Sequence, residues 1–487
     1  MSVPSVRVRR VNALPIRPDN AYVLYWMTAY RRLTANFALQ HAVDQARALG
    51  KPLVILEALR CDYRWASDRL HTFVLDGMAD HAEALAGSPV TYLPYVEPSR
   101  GAGKGLLARL SADACLVVAD DFPSFFLPHM VTAAGRRIDA RLDAVDSNGI
   151  LPMHGTDRVF LTAHSFRAYL QGALRDHLAP WPAALAFDGL VPGPALPQEI
   201  TDRWPATAVA TLKRPAAFVA ALPIDHSVPP AGVRGGPAAA RAALTRFVTQ
   251  RLSRYVEDHS HPDASGTSGL SPYLHFGHIA PHEVFEAVVT AERWTSRQLG
   301  AGKKGQREGW WGASVNAEAF LDQLITWREL GFNRCALRPD DYDQYSSLPE
   351  WARATLGSHA ADPRPFLYTR EQFSRALTHD PVWNAAQREL VATGTCHNYL
   401  RMLWGKKVLE WTRTPEEALD TMIEVMNRFA LDGRNPNSYS GYCWTIGRYD
   451  RPWFPERPVY GTVRYMTSAS TMRKLRMKGY LQRWTGK

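Results

Sequence analysis

Trp383 to Trp411 reads WNAAQRELVATGTCHNYLRMLWGKKVLEW, and this stretch decides how the rest of the chain is read. Trp404 and Trp411 stand seven residues apart, two turns along one helical face and about 10 Å of rise. Arg401, Lys406 and Lys407 lie on the same segment. A helical core often uses indoles as large fillers. Indoles also hold flat ligands, stack on bases or relay electrons, and the stretch by itself leaves these uses open beside plain packing.

The chain around it supports a specialised use. Of 15 tryptophans, four precede residue 240 (Trp26, Trp65, Trp181, Trp204) and eleven follow it. From Ala238 onward apolar residues recur at spacings of three and four, as in Ala238 to Val256, Pro281 to Trp294, Ala317 to Leu330 and Pro415 to Phe429. This predicts an all-α C-terminal domain. The first 175 residues differ. Apolar runs at Ala21 to Met27, Pro52 to Leu59, Val90 to Val96, Cys115 to Ala119 and Arg141 to Val145 alternate with helical patterns such as Ala35 to Leu49 and Arg69 to Ala86. Such alternation predicts a doubly wound parallel α/β domain covered on both faces. No GxGxxG follows its first strand, so the dinucleotide fingerprint is missing. Between the halves, Gly189 to Pro237 is rich in Pro, Gly and Ala and reads as a partly ordered connector over the surface. The expected division is 1–175, a linker at 176–237, and 238–487.

Composition narrows the class. The 487 residues are 46% hydrophobic and 21% charged, ordinary for a globular protein. No run approaches the ~20 apolar residues of a membrane span, and no signal-type stretch follows Arg7, Arg9 and Arg10. A cytoplasmic protein with no membrane partner is therefore expected, and it is taken as a monomer. Cys61, Cys115, Cys335, Cys396 and Cys443 are scattered without a CxxC, which argues against a disulfide framework or zinc ribbon. His259 and His261 lack a second ligand pair, so no metal is expected. The net charge of +10 suits a polyanionic partner.

Two further segments carry chemistry. Gly266 to Gly277 is GTSGLSPYLHFG, with three hydroxyls and two glycines ahead of Pro272. Hydroxyls and N–H groups at a helix start make a phosphate site, and the same residues equally make an N-cap and turn. Asp432 to Trp444 (DGRNPNSYSGYCW) is turn-rich and is followed by Arg451, Trp453, Arg457 and Arg464, then by a tail with Arg473, Lys474, Arg476, Lys478 and Arg483. Cations interleaved with aromatics suit a surface that grips phosphates and stacks a base.

Together these segments resemble the photolyase/cryptochrome family, most closely the class II cyclobutane pyrimidine dimer photolyases. LPEWARATL, FLYT, THDPVWNAAQRELV, YLRMLWGKKVLEW, LDGRNPN and ERPVYGTVRYM follow in the class II order, and YVLYWM with NFALQHAVDQARALGKPLVILEAL is similar to the class II antenna domain. The resemblance implies FAD in the helical domain, with Tyr255, Thr267, Ser268, Leu270 and Ser271 on its phosphates and ribityl chain. It implies an Arg401–Asp432 ion pair beside the isoalloxazine ring. It implies an electron route from the surface over Trp411, Trp383 and Trp404. In a dimer pocket it places Trp327 and Trp444 on either side of a flipped lesion and Met402 beneath it. Arg451 and Trp453 would belong to a hairpin filling the duplex gap, and Arg464 to a lesion-side phosphate. An antenna pigment, deazaflavin or folate, would sit in the N-terminal domain. The implied reaction is light-driven splitting of a pyrimidine dimer in DNA by electron transfer from reduced FAD.

Three positions depart from the family's pattern. Gln323, beside Asp322, stands where the pocket acid is expected, and an amide cannot share a proton. Met426 stands where an asparagine is expected, with Asn427 one residue on. Asn398 replaces a glycine before the YLRM run. These changes leave a second reading, a light sensor of cryptochrome type with weak or no repair. A third reading, a basic nucleic-acid-binding protein that uses no light, leaves the flavin motif unexplained.

Overall fold

A computed structural model describes residues 2–179, 181–182, 187–302 and 304–485. The chain forms two compact units, each assembled from three segments: residues 1–156, 174–244 and 270–286 in the first, and 157–173, 245–269 and 287–487 in the second. This grouping differs from the three consecutive parts read from sequence.

The first unit is built on a six-stranded sheet in the order β1-β6-β5-β2-β3-β4. Its strands are β1 Val8–Arg10, β2 Tyr22–Met27, β3 Leu53–Leu59, β4 Thr91–Val96, β5 Ala114–Asp120 and β6 Leu142–Val145. All neighbours run parallel except β1, which pairs antiparallel with β6 at the edge. Every residue of β2, β5 and β6 is buried, which explains their unbroken apolar runs. The helix Phe37–Leu49 starts where the Asn36 side chain accepts the Ala38 and Leu39 N–H groups and stops at Gly50 in the left-handed region (φ 63°).

The absence of a dinucleotide loop has a physical counterpart. The carboxylate of Asp120, at the end of β5, accepts the backbone N–H groups of Thr28 (2.8 Å), Ala29 (2.7 Å) and Tyr30 (2.9 Å) and the Tyr25 hydroxyl (2.7 Å). The donors that follow the first parallel strand are therefore spent on an internal carboxyl group rather than on a ligand's phosphate.

The segment read as a loose connector is instead folded onto this unit. It forms three short helices, Gln198–Arg203, Val209–Lys213 and Ala216–Ala220, which bury Ile200, Leu212 and Val219. Gly193 and Thr207 donate to the carbonyls of Pro89 and Pro94, and the Trp204 indole donates to Ala102. Sparse apolar residues among the prolines supply the packing that composition alone conceals.

The second unit is helical among its described residues. The expected helix over Ala317 to Leu330 is interrupted: Val315–Leu321 is α-helical, Asp322–Trp327 is π-helical and Arg328–Leu337 is α-helical again. Pro415–Phe429 matches its expected bounds. Across the whole structure no described helix is long and apolar enough to cross a membrane.

Candidate flavin and electron-transfer site

The Trp383–Trp411 stretch folds as two helices, Pro381–Thr393 and Asn398–Glu410, separated by Gly394 in the left-handed region (φ 70°). Asp380 caps the first by accepting the Val382 and Trp383 N–H groups. The reversal lays Trp383 on the second helix rather than beside it in sequence. Its ring stacks on Trp404 at 5.7 Å between centroids, 15° from parallel, and meets Trp411 edge-on at 6.0 Å. All three are at most 2% exposed. The Trp383 indole donates to the Trp404 carbonyl (3.0 Å) and the Trp404 indole to Oε1 of Gln387 (2.9 Å). Neither acceptor is basic, so neither takes up a proton from an oxidised indole. The route implied to reach the surface at Trp411 is covered there: Tyr368 lies 5.7 Å and His379 5.0 Å from the Trp411 ring.

On the Asn398–Glu410 helix, Arg401 pairs with Asp432 through NH2 to Oδ1 (2.9 Å) and NH1 to Oδ2 (3.3 Å). Burial opposes the Arg401 charge, but Asp432 outweighs it and pushes the pKa up. The Arg401 Nε is buried without a partner, as are both ring nitrogens of His397, one turn earlier. Burial lowers the His397 pKa to about 4, which keeps the ring neutral. Unspent donors beside a fixed ion pair fit a polar, partly anionic ligand such as a flavin head group. Asn398 opens this helix and is exposed.

The GTSGLSPYLHFG segment passes from the second unit (266–269) into the first (270–277). Its helix, Ser271–His275, has Leu270 at the N-cap position, with no side-chain cap hydrogen bond from that residue. Thr267 and Ser268 are half-buried, Ser271 is exposed, and the Thr267 carbonyl accepts Arg251 NH1 (2.9 Å). Tyr255 is buried against His259, Phe247 and Phe320.

The departures find physical explanations. Asp322 is not a spare acid for Gln323. Its carboxylate is 3% exposed and is held by Arg167 through Nε (2.8 Å) and NH2 (3.1 Å). Gln323 is half-buried on the π-helical turn, and Trp327 closes that turn. Because π-turns mark inserted residues at functional sites, this irregularity is a signal that helical periodicity hid. Replacing Asp322 with Ala strands the buried Arg167 charge, and a loss of about 3–5 kcal/mol is expected by denaturant titration.

Asn427 does not stand in for Met426. Its Oδ1 accepts the Arg434 N–H (2.7 Å) and the Tyr442 hydroxyl (3.1 Å), while its Nδ2 donates to the Tyr439 hydroxyl (3.2 Å). The amide is thus consumed in holding the 427–434 turn, and the suggested helix shift is absent. Met426 is fully buried, and Met402 is half-buried.

The cationic aromatic segment is ordered by its own stacking. Arg464 and Arg451 place their guanidinium carbons 4.3 Å and 4.8 Å from the Trp453 ring, whose indole donates to Asp450 Oδ1 (3.0 Å). Trp453 is therefore engaged within the segment. The ring that projects is Phe454, 77% exposed, which the sequence reading missed. In the tail, Arg476 is committed to Asp258 (2.8 Å). Trp444 is half-buried on the helix Pro436–Thr445, which packs closely enough on Arg328–Leu337 that a Cβ at Gly331 would meet the Pro436 carbonyl oxygen at 2.8 Å.

No protein-family model matches the chain. Among curated proteins, it is 33% identical over 99% of its length to a deoxyribodipyrimidine photo-lyase of Methanothermobacter thermautotrophicus, covering 98% of that protein. It is 35% identical to the protein of that name from Oryza sativa subsp. japonica, over 94% of this chain and 86% of that one. Two solved structures share the fold. A class III photolyase from Agrobacterium tumefaciens superposes with a TM-score of 0.68 at 17% identity, covering 96% of this chain and 86% of that one. A cryptochrome from Synechocystis superposes with a TM-score of 0.62 at 16% identity, covering 95% and 88%.

Proposed function

The chain belongs to the photolyase/cryptochrome family, and on that premise we propose that it is a deoxyribodipyrimidine photo-lyase of class II type that splits cyclobutane pyrimidine dimers in DNA. The observation that carries the reading is the stacked, buried series Trp404, Trp383, Trp411 on the same helix pair as the Arg401–Asp432 ion pair. When bound, reduced FAD supplies the photoexcited electron that the reaction needs. Tyr255, Thr267, Ser268, Leu270 and Ser271 would hold its phosphates and ribityl chain, and Arg401 with its unspent Nε would face its head group. The tryptophans relay electrons inward to restore the reduced state.

Trp327 and Trp444 would flank the flipped base, with Met402 beneath it. Flipping costs a few kcal/mol, less for a damaged pair, which favours the lesion over intact DNA. Arg451 and Arg464 supply cations for the phosphates, and Phe454 supplies an apolar ring that can occupy the gap. An antenna pigment, deazaflavin or folate, would add absorbance. A dimer-containing duplex should bind more tightly than the same undamaged duplex, and affinity should fall steeply with salt. Equal affinity for both duplexes would count against the pocket.

One observation favours a sensor reading. Gln323 offers only an amide, and the neighbouring Asp322 is locked to Arg167, so the pocket has lost the acid expected there. Gln323→Glu should raise the dimer yield per absorbed photon. No gain, together with normal photoreduction and no repair by the parent protein, would make the sensor reading the better one.

A further inference from the structure

We infer that Lys406 is an electrostatic positioning residue of the candidate pocket, a buried cation behind Trp444 that fixes the indole and favours negative charge arriving on its open side. The inference rests on the reading of Trp444 as a wall of the lesion pocket.

The placement begins with Gly405. A Cβ there would meet Thr445 Cγ2 at 2.6 Å and Met422 Sδ at 3.1 Å, so only glycine lets the Asn398–Glu410 helix approach the Pro436–Thr445 helix this closely. The next residue, Lys406, is fully buried and points its ammonium into that contact. Its Nζ donates to the Thr445 carbonyl (2.6 Å) and lies 5.1 Å from the Trp444 ring centroid. Its own carbonyl accepts the Tyr460 hydroxyl (2.9 Å), which also bonds Glu410 (3.0 Å), so the backbone at this point is held.

A neutral donor would satisfy the Thr445 carbonyl without the cost of burying a charge. Among the described residues Lys406 has no carboxylate within ion-pair distance. The charged groups that act on it from neighbouring segments are Asp450, which supports the ammonium, and Arg464, which opposes it. Burial outweighs both and lowers the pKa to about 7, so protonation is poised near neutrality.

A cation against one face of an indole binds its π-electrons and makes the ring harder to oxidise. Holes therefore stay on the Trp404–Trp383–Trp411 series instead of entering the pocket. With reduced FAD held by the residues named above, the proposed reaction would load one electron onto the dimer, break two carbon–carbon bonds of the cyclobutane and give the electron back. No proton leaves Lys406. Its charge favours the electron-loaded dimer, a contribution the Gln323 amide supplies only weakly.

The test uses the FAD-loaded full chain as the parent and as Lys406→Met and Lys406→Arg. Splitting yield at saturating dimer oligonucleotide should drop severalfold in the parent as pH rises through about 7. Lys406→Arg should stay high and flat, and Lys406→Met low and flat. In parallel, 5-fluorotryptophan labelling reads Trp444 directly, assigned by Trp444→Phe. Its fluorine signal should titrate near pH 7 in the parent and lose that step in Lys406→Met. If the methionine variant fails to fold, Lys406→Gln takes its place. A parent that splits dimers with no pH step, or a Trp444 signal that does not titrate, overturns the inference. A parent that titrates at Trp444 but splits no dimer overturns the repair reading instead.

Discussion

Trp383→Phe is expected to abolish photoreduction of bound FAD while leaving dimer splitting by chemically reduced protein intact. Trp383 is the ring through which the series is joined: it stacks on Trp404 at 5.7 Å and meets Trp411 at 6.0 Å. A phenyl ring is smaller and harder to oxidise, so it leaves both a gap and an energetic step. The substitution also strips the Trp404 carbonyl of its indole donor. A stability loss of about 2 kcal/mol follows from the lost volume and that unmade hydrogen bond, small enough for a folded protein. Blue-light titration of the oxidised flavin spectrum, with an external reductant present, measures the effect. Photoreduction at the parent's rate would remove Trp383 from the route.

Arg401→Met is expected to yield protein that retains little FAD. The substitution removes the unspent Nε and takes the ion-pair cation away from Asp432, a carboxylate only 13% exposed. Breaking such a pair from one side costs about 3 kcal/mol. The double variant Arg401→Met, Asp432→Leu separates the two effects, because removing both charges takes away the half-broken ion pair but restores no flavin contact. Stability should recover in the double variant and flavin content should not. Thermal melts and flavin absorbance per mole of protein report the two quantities; normal flavin content in the single variant would place the flavin head group elsewhere.

The fold was legible where burial is continuous. Apolar runs such as Ala21 to Met27 and Pro52 to Leu59 reappear as β2 Tyr22–Met27 and β3 Leu53–Leu59 because both faces of a parallel sheet are covered. Val8–Arg10 escaped notice because a three-residue edge strand with two arginines has neither length nor alternation. The π-helical Asp322–Trp327 was hidden because its apolar residues still fit a helical stripe.

The site was legible in its residue types and less so in its geometry. Spacing along one helix suggested Trp404 and Trp411 as neighbours on a face, whereas the Gly394 turn brings Trp383 into contact with both. Spacing places Lys406 on the Trp383–Trp411 segment without telling its burial, which follows from the close helix contact at Gly405. Asn427 looked available as an amide one residue from Met426, yet tertiary hydrogen bonds to the 434–442 segment consume it. Phe454 carried no sequence signal beyond its neighbours, since exposure is a property of the folded loop.

The most direct test of photorepair is dimer content in an oligonucleotide carrying a single cyclobutane thymine dimer, incubated with FAD-loaded, chemically reduced protein in the dark and under blue light. Loss of the dimer in the light and none in the dark is the expected result. A dimer that is bound yet remains intact under saturating light would contradict it.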